Sequence, residues 1–289
     1  MRELRTPSIA GLVTITLLAL YVFLVSPTSA DDKGLLRVSF LDVGQGDATL
    51  IESPSGTQVL IDGGKGGSVL RELGRTLGFF DRDIDMIVAT HPDMDHIGGL
   101  IDVLTRYHVG TILMTENESG TPAFESFRRL VEEEGADILY ARRGQVFELG
   151  EGERGAVTLT ILFPDHDPTD FESNTSSIVA RLTYGESEFM LTGDSPREIE
   201  EYLAHLDGIS LKSDVLKLGH HGSRTSTSPV FLEWVGPSYA IISAGKDNSY
   251  GHPHPEVMEL LAGFGITQKN TADESSIFSY SDGVRIWFR

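Results

Sequence analysis

Residues 90–99 read Thr90-His91-Pro92-Asp93-Met94-Asp95-His96-Ile97-Gly98-Gly99 and directly follow the apolar run 86–89. This pattern predicts a buried strand that delivers two imidazoles and two carboxylates to a turn. Because alternate side chains of an extended chain share a face, we expect His91, Asp93 and Asp95 to point the same way, with the turn returning His96 beside them. Adjacent carboxylates repel each other unless a cation neutralises them. The stretch therefore predicts a site for one or two divalent ions rather than a solvated acidic loop.

Three other segments end an apolar strand with candidate ligands. They are Val59–Gly64 with Asp62, Phe189–Asp194 with Asp194, and Val215–Ser223 with the pair His220 and His221. For Asp62, a turn-forming role and a functional role are equally open. Two adjacent histidines at a strand end, in a chain with only nine, favour a functional site over packing.

Composition limits the chemistry that this chain can perform. A chain of 289 residues with 40% hydrophobic content can bury a large core. The formal net charge is -20, which opposes non-specific attraction to nucleic acid or to an anionic membrane. It does not exclude a polyanionic substrate, because bound divalent ions can reverse the local field. Since there is no cysteine, every metal ligand must be His, Asp, Glu or an amide.

The first thirty residues have the pattern of an export signal. Arg2 and Arg5 precede the uncharged run Ile9–Val25, and small residues lead to a candidate cleavage site after Ala30. An uncleaved membrane anchor is the alternative, because about 17 apolar residues are at the short limit for spanning a bilayer. Either way, we expect residues 31–289 to form the functional domain outside the cytoplasm, whether secreted, periplasmic or membrane-anchored.

After Asp32, strand-like and helix-like segments alternate in two series, which predicts two packed sheets with helices outside. The predicted strands are Leu36–Val43, Ala48–Glu52, Gln58–Ile61, Ile84–Ala89, Val157–Phe163, Ile178–Leu182, Glu188–Leu191, Val215–Leu218, Ala240–Ile242, Ser276–Tyr280 and Val284–Phe288. The predicted helices are Val69–Phe79, Leu100–Tyr107, Pro122–Glu134, Pro196–Leu206, Pro229–Val235 and Glu256–Phe264.

The order Asp-Gly-Gly, His-x-Asp-x-Asp-His, Thr-Gly-Asp and Gly-His-His-Gly-Ser resembles the metallo-β-lactamase superfamily. Residues 41–48 and 248–255 narrow the resemblance to the soluble domain of the DNA-internalisation competence protein ComEC. It extends from about Leu36 to the C-terminus and lacks the membrane channel of the full competence protein, so we expect a stand-alone version of one domain. The resemblance implies an α/β (α+β) fold, a four-layer αββα sandwich with a one- or two-metal site at the sheet edge.

The resemblance also implies a ligand set. His91 and Asp93 hold the first ion; Asp95, His96 and one histidine of the 220–221 pair hold the second; Asp194 bridges the two. His221 is preferred over His220, because it directly precedes the glycine as the last ligand of the family commonly does.

The chain departs from the superfamily at the first ion. The family normally has a histidine where Asp93 stands, and His108 and His166 are poorly placed to supply the remaining first-site histidine. Asn174 is matched to that position, with capping of the strand at Ile178 as an equal alternative. An oxygen-rich first site favours manganese or magnesium, whereas His96 and His221 suit zinc.

A hydroxide held between the ions is the expected nucleophile, and the resemblance implies that Asp95 orients it or accepts its proton. For a phosphodiester, Ser223, Ser226 and Asn248 are candidates to donate hydrogen bonds to a non-bridging oxygen, or they are only loop residues. The remaining candidates are His252 or His254 as proton donor to the leaving group, His220 as a substrate contact, and Lys217 as a phosphate contact or a surface lysine.

The sequence therefore predicts an exported hydrolase that requires one or two divalent ions, Mn²⁺ or Zn²⁺, and acts on phosphodiesters such as DNA. Two other readings stay open. One is hydrolysis of a small ester, lactone or phosphorylated metabolite, which needs no basic surface. The other is a non-catalytic module that holds a structural ion and recruits DNA or a partner protein.

Overall fold

A computed structural model describes residues 34–78 and 80–289. The predicted export signal and cleavage site at residues 1–30 lie outside the described residues, as does Phe79 at the end of one predicted helix. No helix in the described part of the chain is long and apolar enough to cross a membrane.

The chain forms two sheets, built from fifteen strands among the described residues. The strands are β1 Leu36–Phe40, β2 Thr49–Glu52, β3 Gln58–Ile61, β4 Asp83–Ala89, β5 His108–Met114, β6 Asp137–Tyr140, β7 Val146–Gly152, β8 Gly155–Phe163, β9 Val179–Tyr184, β10 Ser187–Leu191, β11 Val215–Lys217, β12 Tyr239–Ile242, β13 Thr267–Asn270, β14 Ile277–Ser281 and β15 Ile286–Phe288. The helices are α1 Ser68–Thr76, α2 Met94–Leu104, α3 Pro122–Glu134, α4 Arg197–Asp207, α5 Pro229–Val235, α6 Pro255–Gly263 and α7 Thr271–Glu274.

The first sheet has the order β15-β14-β1-β2-β3-β4-β5-β6, and the second has the order β13-β12-β11-β10-β9-β8-β7. Neighbouring strands run parallel from β3 to β6 and from β10 to β13, and antiparallel elsewhere in both sheets. Each sheet therefore has a parallel half, whose strands all end at one edge.

Alternation along β3 shows how the layers are built. Val59 and Ile61 belong to an apolar cluster that also contains Leu182 and Phe189 of the second sheet. Leu60 faces the other way, into a cluster with residues of α1, α2 and α3. A third cluster packs α4, α5 and α6 against the outer face of the second sheet. This arrangement confirms the predicted four-layer αββα sandwich.

The parallel halves bring five strand ends to one edge of the sandwich. The segments that follow β3, β4, β10, β11 and β12 carry the candidate site residues Asp62, His91, Asp194, His221 and Asn248. Ligands of open α/β sheets bind at the carboxyl ends of such strands. The topology therefore brings these candidate residues to one edge of the sandwich.

Strands β5, β6, β7 and β13 were not predicted. Strand β13, with the sequence Thr-Gln-Lys-Asn, has no apolar periodicity and exists because it pairs with β12. Strand β6 is exposed along its whole length and pairs only with β5. These strands form because they pair with a neighbouring strand, and not because of a local sequence pattern.

The expectation that residues 91–95 form an extended chain was wrong. Helix α2 begins at Met94 with Asp93 as its N-cap, so Asp95 and His96 lie in the first helical turn. Gly98 and Gly99, which were predicted to follow a turn, lie inside this helix. They allow α2 to pack against backbone: a Cβ on Gly98 would clash with the Lys65 carbonyl, and one on Gly99 with the Gly63 carbonyl.

We expect Gly99→Ala to lower the free energy of unfolding by about 1–3 kcal/mol, because the clashing atoms are backbone and cannot rotate away. Gly74→Ala is the matched control in helix α1, where an added Cβ meets nothing within 4 Å. This control should raise stability by about 0.5–1 kcal/mol. Urea denaturation of metal-free protein measures both, and equal effects of the two substitutions would contradict the packing argument.

Candidate metal centre

Four side chains from both sheets converge on Asp194, which follows β10. His96 Nε2 lies 3.3 Å from Asp194 Oδ1, and His221 Nε2 lies 3.5 Å from Asp194 Oδ2. Asp95 Oδ2 is 3.5 Å from the same His221 nitrogen, and the rings of His91 and His96 are 4.0 Å apart. Asp194 therefore lies between the two groups of candidate ligands, and its bridging role stays a prediction.

The donor atoms fit divalent ions. His91 Nε2, His96 Nε2, His221 Nε2 and Asp194 Oδ1 are buried and make no hydrogen bond. Buried polar atoms almost always have a partner, so four such atoms in one place indicate ligands for a cation. Among the sets whose ligand atoms lie within 4.8 Å of one another are His91, His96 and Asp194, and Asp95, His96 and His221. They share His96, which matches one ion or two adjacent ions.

Asp62 positions His96 from behind. Its Oδ2 lies 2.8 Å from His96 Nδ1, and it accepts hydrogen bonds from the backbone N–H and hydroxyl of Thr90 at 2.9 and 2.7 Å. A carboxylate on one ring nitrogen holds the proton there and leaves the other nitrogen free for a metal. Of the two readings open for Asp62, the structure therefore supports a functional one, although its φ of 58° also forms a turn.

Asp47 does the same for His221 and was missed as a site residue. Its Oδ1 lies 3.2 Å from His221 Nδ1, and its Oδ2 accepts a hydrogen bond from Lys217 Nζ at 2.7 Å. Its backbone N–H also donates to the Asp95 carbonyl at 3.2 Å. The sequence signal was an acid within residues 41–48, a stretch that was used for the family resemblance but not for the site.

Lys217 is a buried structural residue rather than a surface lysine. It is almost fully buried and bonds both Asp47 and the Leu218 carbonyl. Because Lys217 lies on β11 and Asp47 on the β1–β2 loop, this ion pair joins the two sheets directly behind the ligands. The predicted phosphate contact gets no support from this placement.

The buried charges shift the pKa values of the ligands in opposite directions. Burial favours a neutral His221, but the carboxylates of Asp194 and Asp47 outweigh it and raise the pKa of His221 to about 9. Burial and the neighbouring His96 lower the pKa of His91 to about 4. Burial would raise the pKa of Asp194, but His221 and His96 hold it well below its ordinary value. Without metal, the centre is thus a balance of imidazolium and carboxylate.

Asp93 and Asn174 lie at the rim of the centre. Asp93 Oδ2 is 3.8 Å from His91 Nε2, and Oδ1 accepts a hydrogen bond from Ser173. The Asn174 amide nitrogen lies 3.3 Å from His220 Nδ1, while its Oδ1 is buried without a partner. Asn174 does not cap the next strand, because the Ile178 N–H donates to the Thr90 carbonyl. Their role as ligands stays a prediction.

The histidine pair occupies the tight turn Gly219–Gly222 that directly follows β11, at the strand end where it was expected. Both residues have left-handed φ values, 48° for His220 and 56° for His221, so their rings diverge. His221 is buried in the centre. The side chain of His220 is 28% exposed, with Nε2 4.0 Å from Asp194 and Nδ1 near the Thr225 hydroxyl. This geometry favours His221 over His220 as the candidate ligand, and the role of His220 as a substrate contact stays a prediction.

His252 and His254 extend the row of rings outward. The ring of His252 is 5.4 Å from that of His220, and the ring of His254 is 4.9 Å from that of His252. Burial and His220 lower the pKa of His252 to about 4, so this ring is neutral near pH 7. A neutral ring suits a hydrogen-bond contact better than proton donation. His254 Nδ1 accepts the Arg224 N–H at 3.1 Å, which ties the two loops together.

The other residues predicted to contact substrate form hydrogen bonds with neighbouring loop residues. The buried Ser226 hydroxyl donates to the Ser195 carbonyl, and the Ser223 hydroxyl accepts from Thr225. Asn248 makes its hydrogen bonds within its own loop. Contact with substrate gets no support from these placements. His108 and His166 pair instead with Glu134 and Asp165.

We expect divalent-metal affinity to rise with pH, because metal must displace the proton that His221 holds up to a pKa of about 9. Each released proton adds up to about tenfold to the association constant per pH unit. The same shift stabilises the metal-free fold below about pH 6.5, and this stabilisation is lost as the pH rises through about 9. Competition with a chelator between about pH 6 and 8 measures the affinity, and a pH-independent constant would contradict the expectation.

We expect Lys217→Met to lower the free energy of unfolding by about 3–5 kcal/mol, because the buried carboxylate of Asp47 would lose its lysine partner and keep only its contact with His221. The double variant Asp47→Asn/Lys217→Met should recover much of this loss, since both charges are then removed. Its metal affinity should still be about 10- to 100-fold weaker, because the carboxylate behind His221 is gone. Urea denaturation and metal titration separate the two effects, and additive losses of stability would argue against the ion pair.

Comparison with known proteins agrees with this geometry. The sequence profile described as Metallo-beta-lactamase superfamily matches residues 41–246. ComE operon protein 3 of Bacillus subtilis is 32% identical over 266 residues, covering 86% of this chain and 33% of that protein. Competence protein ComA of Neisseria gonorrhoeae is 31% identical over 264 residues, covering 91% and 35%. This chain thus spans about a third of the length of the curated relatives it matches.

Solved structures agree on the fold. The metallo-beta-lactamase fold protein YhfI of Bacillus subtilis superimposes with a TM-score of 0.54 at 13% identity. The superposition covers 81% of this chain and 95% of that chain.

Proposed function

The chain belongs to the metallo-beta-lactamase superfamily and carries a domain of the ComEC type, and from that premise we propose that it is a divalent-metal-dependent hydrolase of phosphodiesters. Divalent-metal binding follows from the family and from the His and Asp clusters at the sheet edge. The observation that carries the proposal is the convergence of four buried donor atoms without partners on one edge of the sandwich.

When bound, divalent ions lower the pKa of a coordinated water and polarise the scissile oxygen. The side chains divide the remaining tasks. Asp62 and Asp47 hold His96 and His221 with Nε2 directed inward. Asp95 is more exposed than Asp194. Burial would raise the pKa of Asp95, but its contact with His221 and the charge of His96 outweigh this effect and lower the pKa. It is therefore ionised near neutral pH and able to orient a water molecule or accept its proton.

Basic side chains at the rim support an anionic substrate. Lys65, Arg224 and Lys246 are exposed on the loops that follow β3, β11 and β12. Within the described part of the chain they form no ion pair, although 43 acidic residues are available against 23 basic ones. Uncompensated cations around a metal centre in an acidic protein suit phosphate groups on either side of the scissile bond.

The identity of the ion follows from ligand hardness. We assign manganese or magnesium to the side with Asp93 and Asn174, whose ligands are mostly oxygen atoms. His96 and His221 suit zinc on the other side. Arg2, Arg5 and the apolar run Ile9–Val25 support export of the domain, either secreted, periplasmic or held by an N-terminal anchor.

Hydrolysis of a small ester, lactone or phosphorylated metabolite is the second candidate, and the net charge of -20 favours it. The salt dependence of substrate binding distinguishes the two candidates. Binding of DNA should weaken steeply as salt increases if phosphates contact the rim cations, whereas a small substrate should show a shallow dependence.

We expect protein that is stripped of metal and reloaded with Mn²⁺ or Zn²⁺ to cleave single-stranded DNA and a chromogenic phosphodiester. Asp194→Asn should lower kcat/KM by more than the roughly 10- to 100-fold that loss of an outer-sphere partner costs, because it removes a ligand. The control is Asp137→Asn on the exposed strand β6, which should keep full activity. Cleavage of the small reporter alone would favour the second candidate, and normal folding with no turnover of either would favour a binding module.

A further inference from the structure

Tyr250 lies at the outer end of a row of rings that leads into the metal centre. Its ring stacks on that of His252 at 5.7 Å with an interplanar angle of 22°. The ring of His252 is in turn 6.1 Å from that of His221, whose free nitrogen faces Asp194. Tyr250 is 64% exposed. A large aromatic ring is therefore exposed to solvent, and only the ring of His252 lies between it and the proposed metal ligand His221.

The loop that carries Tyr250 is braced. Asn248 donates from its amide nitrogen to the carbonyls of Gly245 and His252, at 2.9 and 2.6 Å. Its amide oxygen accepts the N–H groups of Tyr250 and His252, at 3.2 and 3.0 Å. One side chain thus fixes both ends of the segment. A preorganised aromatic ring loses little conformational entropy when a ligand packs on it.

The charges beside Tyr250 indicate what kind of ligand would use it. Lys246 is exposed on the same loop as Tyr250, with the exposed Asp247 next to it, and Arg224 is exposed on the neighbouring loop after β11. Neither cation forms an ion pair with any described residue. An anionic chain with flat apolar groups matches an exposed ring whose own loop and neighbouring loop each carry an exposed cation. Since the net charge of -20 weakens general attraction to phosphates, stacking has to supply much of the selectivity.

We propose that Tyr250, supported by His252, is a stacking platform for an unpaired base of single-stranded nucleic acid whose phosphodiester lies at the metal centre. The inference rests on the proposed phosphodiesterase function. Bases inside a duplex have both faces covered by their neighbours, whereas an unpaired base can leave its stack and lie on an aromatic ring. Stacking is tolerant of sequence, because every base has a flat face. The platform therefore distinguishes single-stranded from double-stranded nucleic acid, and it does not distinguish one base sequence from another.

Equilibrium binding tests the platform without requiring turnover. The Mn²⁺-loaded protein is titrated into two fluorescently labelled, phosphorothioate-linked oligomers of equal length that resist cleavage, a single-stranded thymidylate and an abasic strand. The wild type should bind the thymidylate more tightly. Tyr250→Ala should weaken binding of the thymidylate by about 5- to 150-fold and leave binding of the abasic strand unchanged. Tyr250→Phe keeps the ring and should bind both strands as the wild type does.

Three results would overturn the platform: equal binding of both oligomers by the wild type, no binding of either, or a Tyr250→Ala variant that binds the thymidylate as tightly as the wild type. Equal weakening for both strands would also count against it, because that result indicates a disturbed loop. Failure of the proposed function looks different. In that case the wild type distinguishes the strands and Tyr250→Ala does not, yet no phosphodiester is turned over with Mn²⁺ or Zn²⁺.

Discussion

Buried donor atoms without partners at the meeting edge of two sheets are the constraint on which this molecule depends. His91, His96 and His221 each direct a free Nε2 into the volume beside Asp194. Buried polar atoms without a partner are costly, and a bound cation would satisfy these. The metal-free centre balances itself with protons, as the raised pKa of His221 shows. Metal binding and protonation therefore compete for the same nitrogens.

The sandwich holds this centre by connections between its two sheets. His91, Asp95 and His96 follow β4 of the first sheet, whereas Asp194 and His221 follow β10 and β11 of the second. The ion pair of Asp47 and Lys217 crosses between the sheets behind them. Because neither sheet contains a full ligand set, the site exists only in the packed fold. The buried Lys217, by pairing with Asp47, connects the two sheets next to this site.

Under the proposed function, both local charge and an aromatic ring contribute to substrate recognition. The chain as a whole is strongly acidic, so a phosphate-containing ligand is attracted only where ions and rim cations reverse the field. Exposed Lys65, Arg224 and Lys246 lie on loops at that edge. In the proposed platform, the ring of Tyr250, which stacks on His252, would add a contact that does not depend on charge. Under the proposed function, an acidic chain would bind an anionic substrate through the ions, the rim cations and this ring rather than through its general surface charge.

The sequence by itself determined the fold class, the family and the ligand chemistry, because apolar periodicity and short motifs such as residues 90–99 act over neighbouring residues. It also indicated Asp194 and His221 as ligands, and their geometry fits. Tertiary structure alone decided that Asp95 lies in a helix, that Lys217 is buried, and that Asp47 stands behind His221. Asp47 and His221 are separated by 174 residues, and no local pattern connects them. Which ring nitrogen stays free is set by such distant packing, since hydrogen bonds depend on position in space and not on order along the chain.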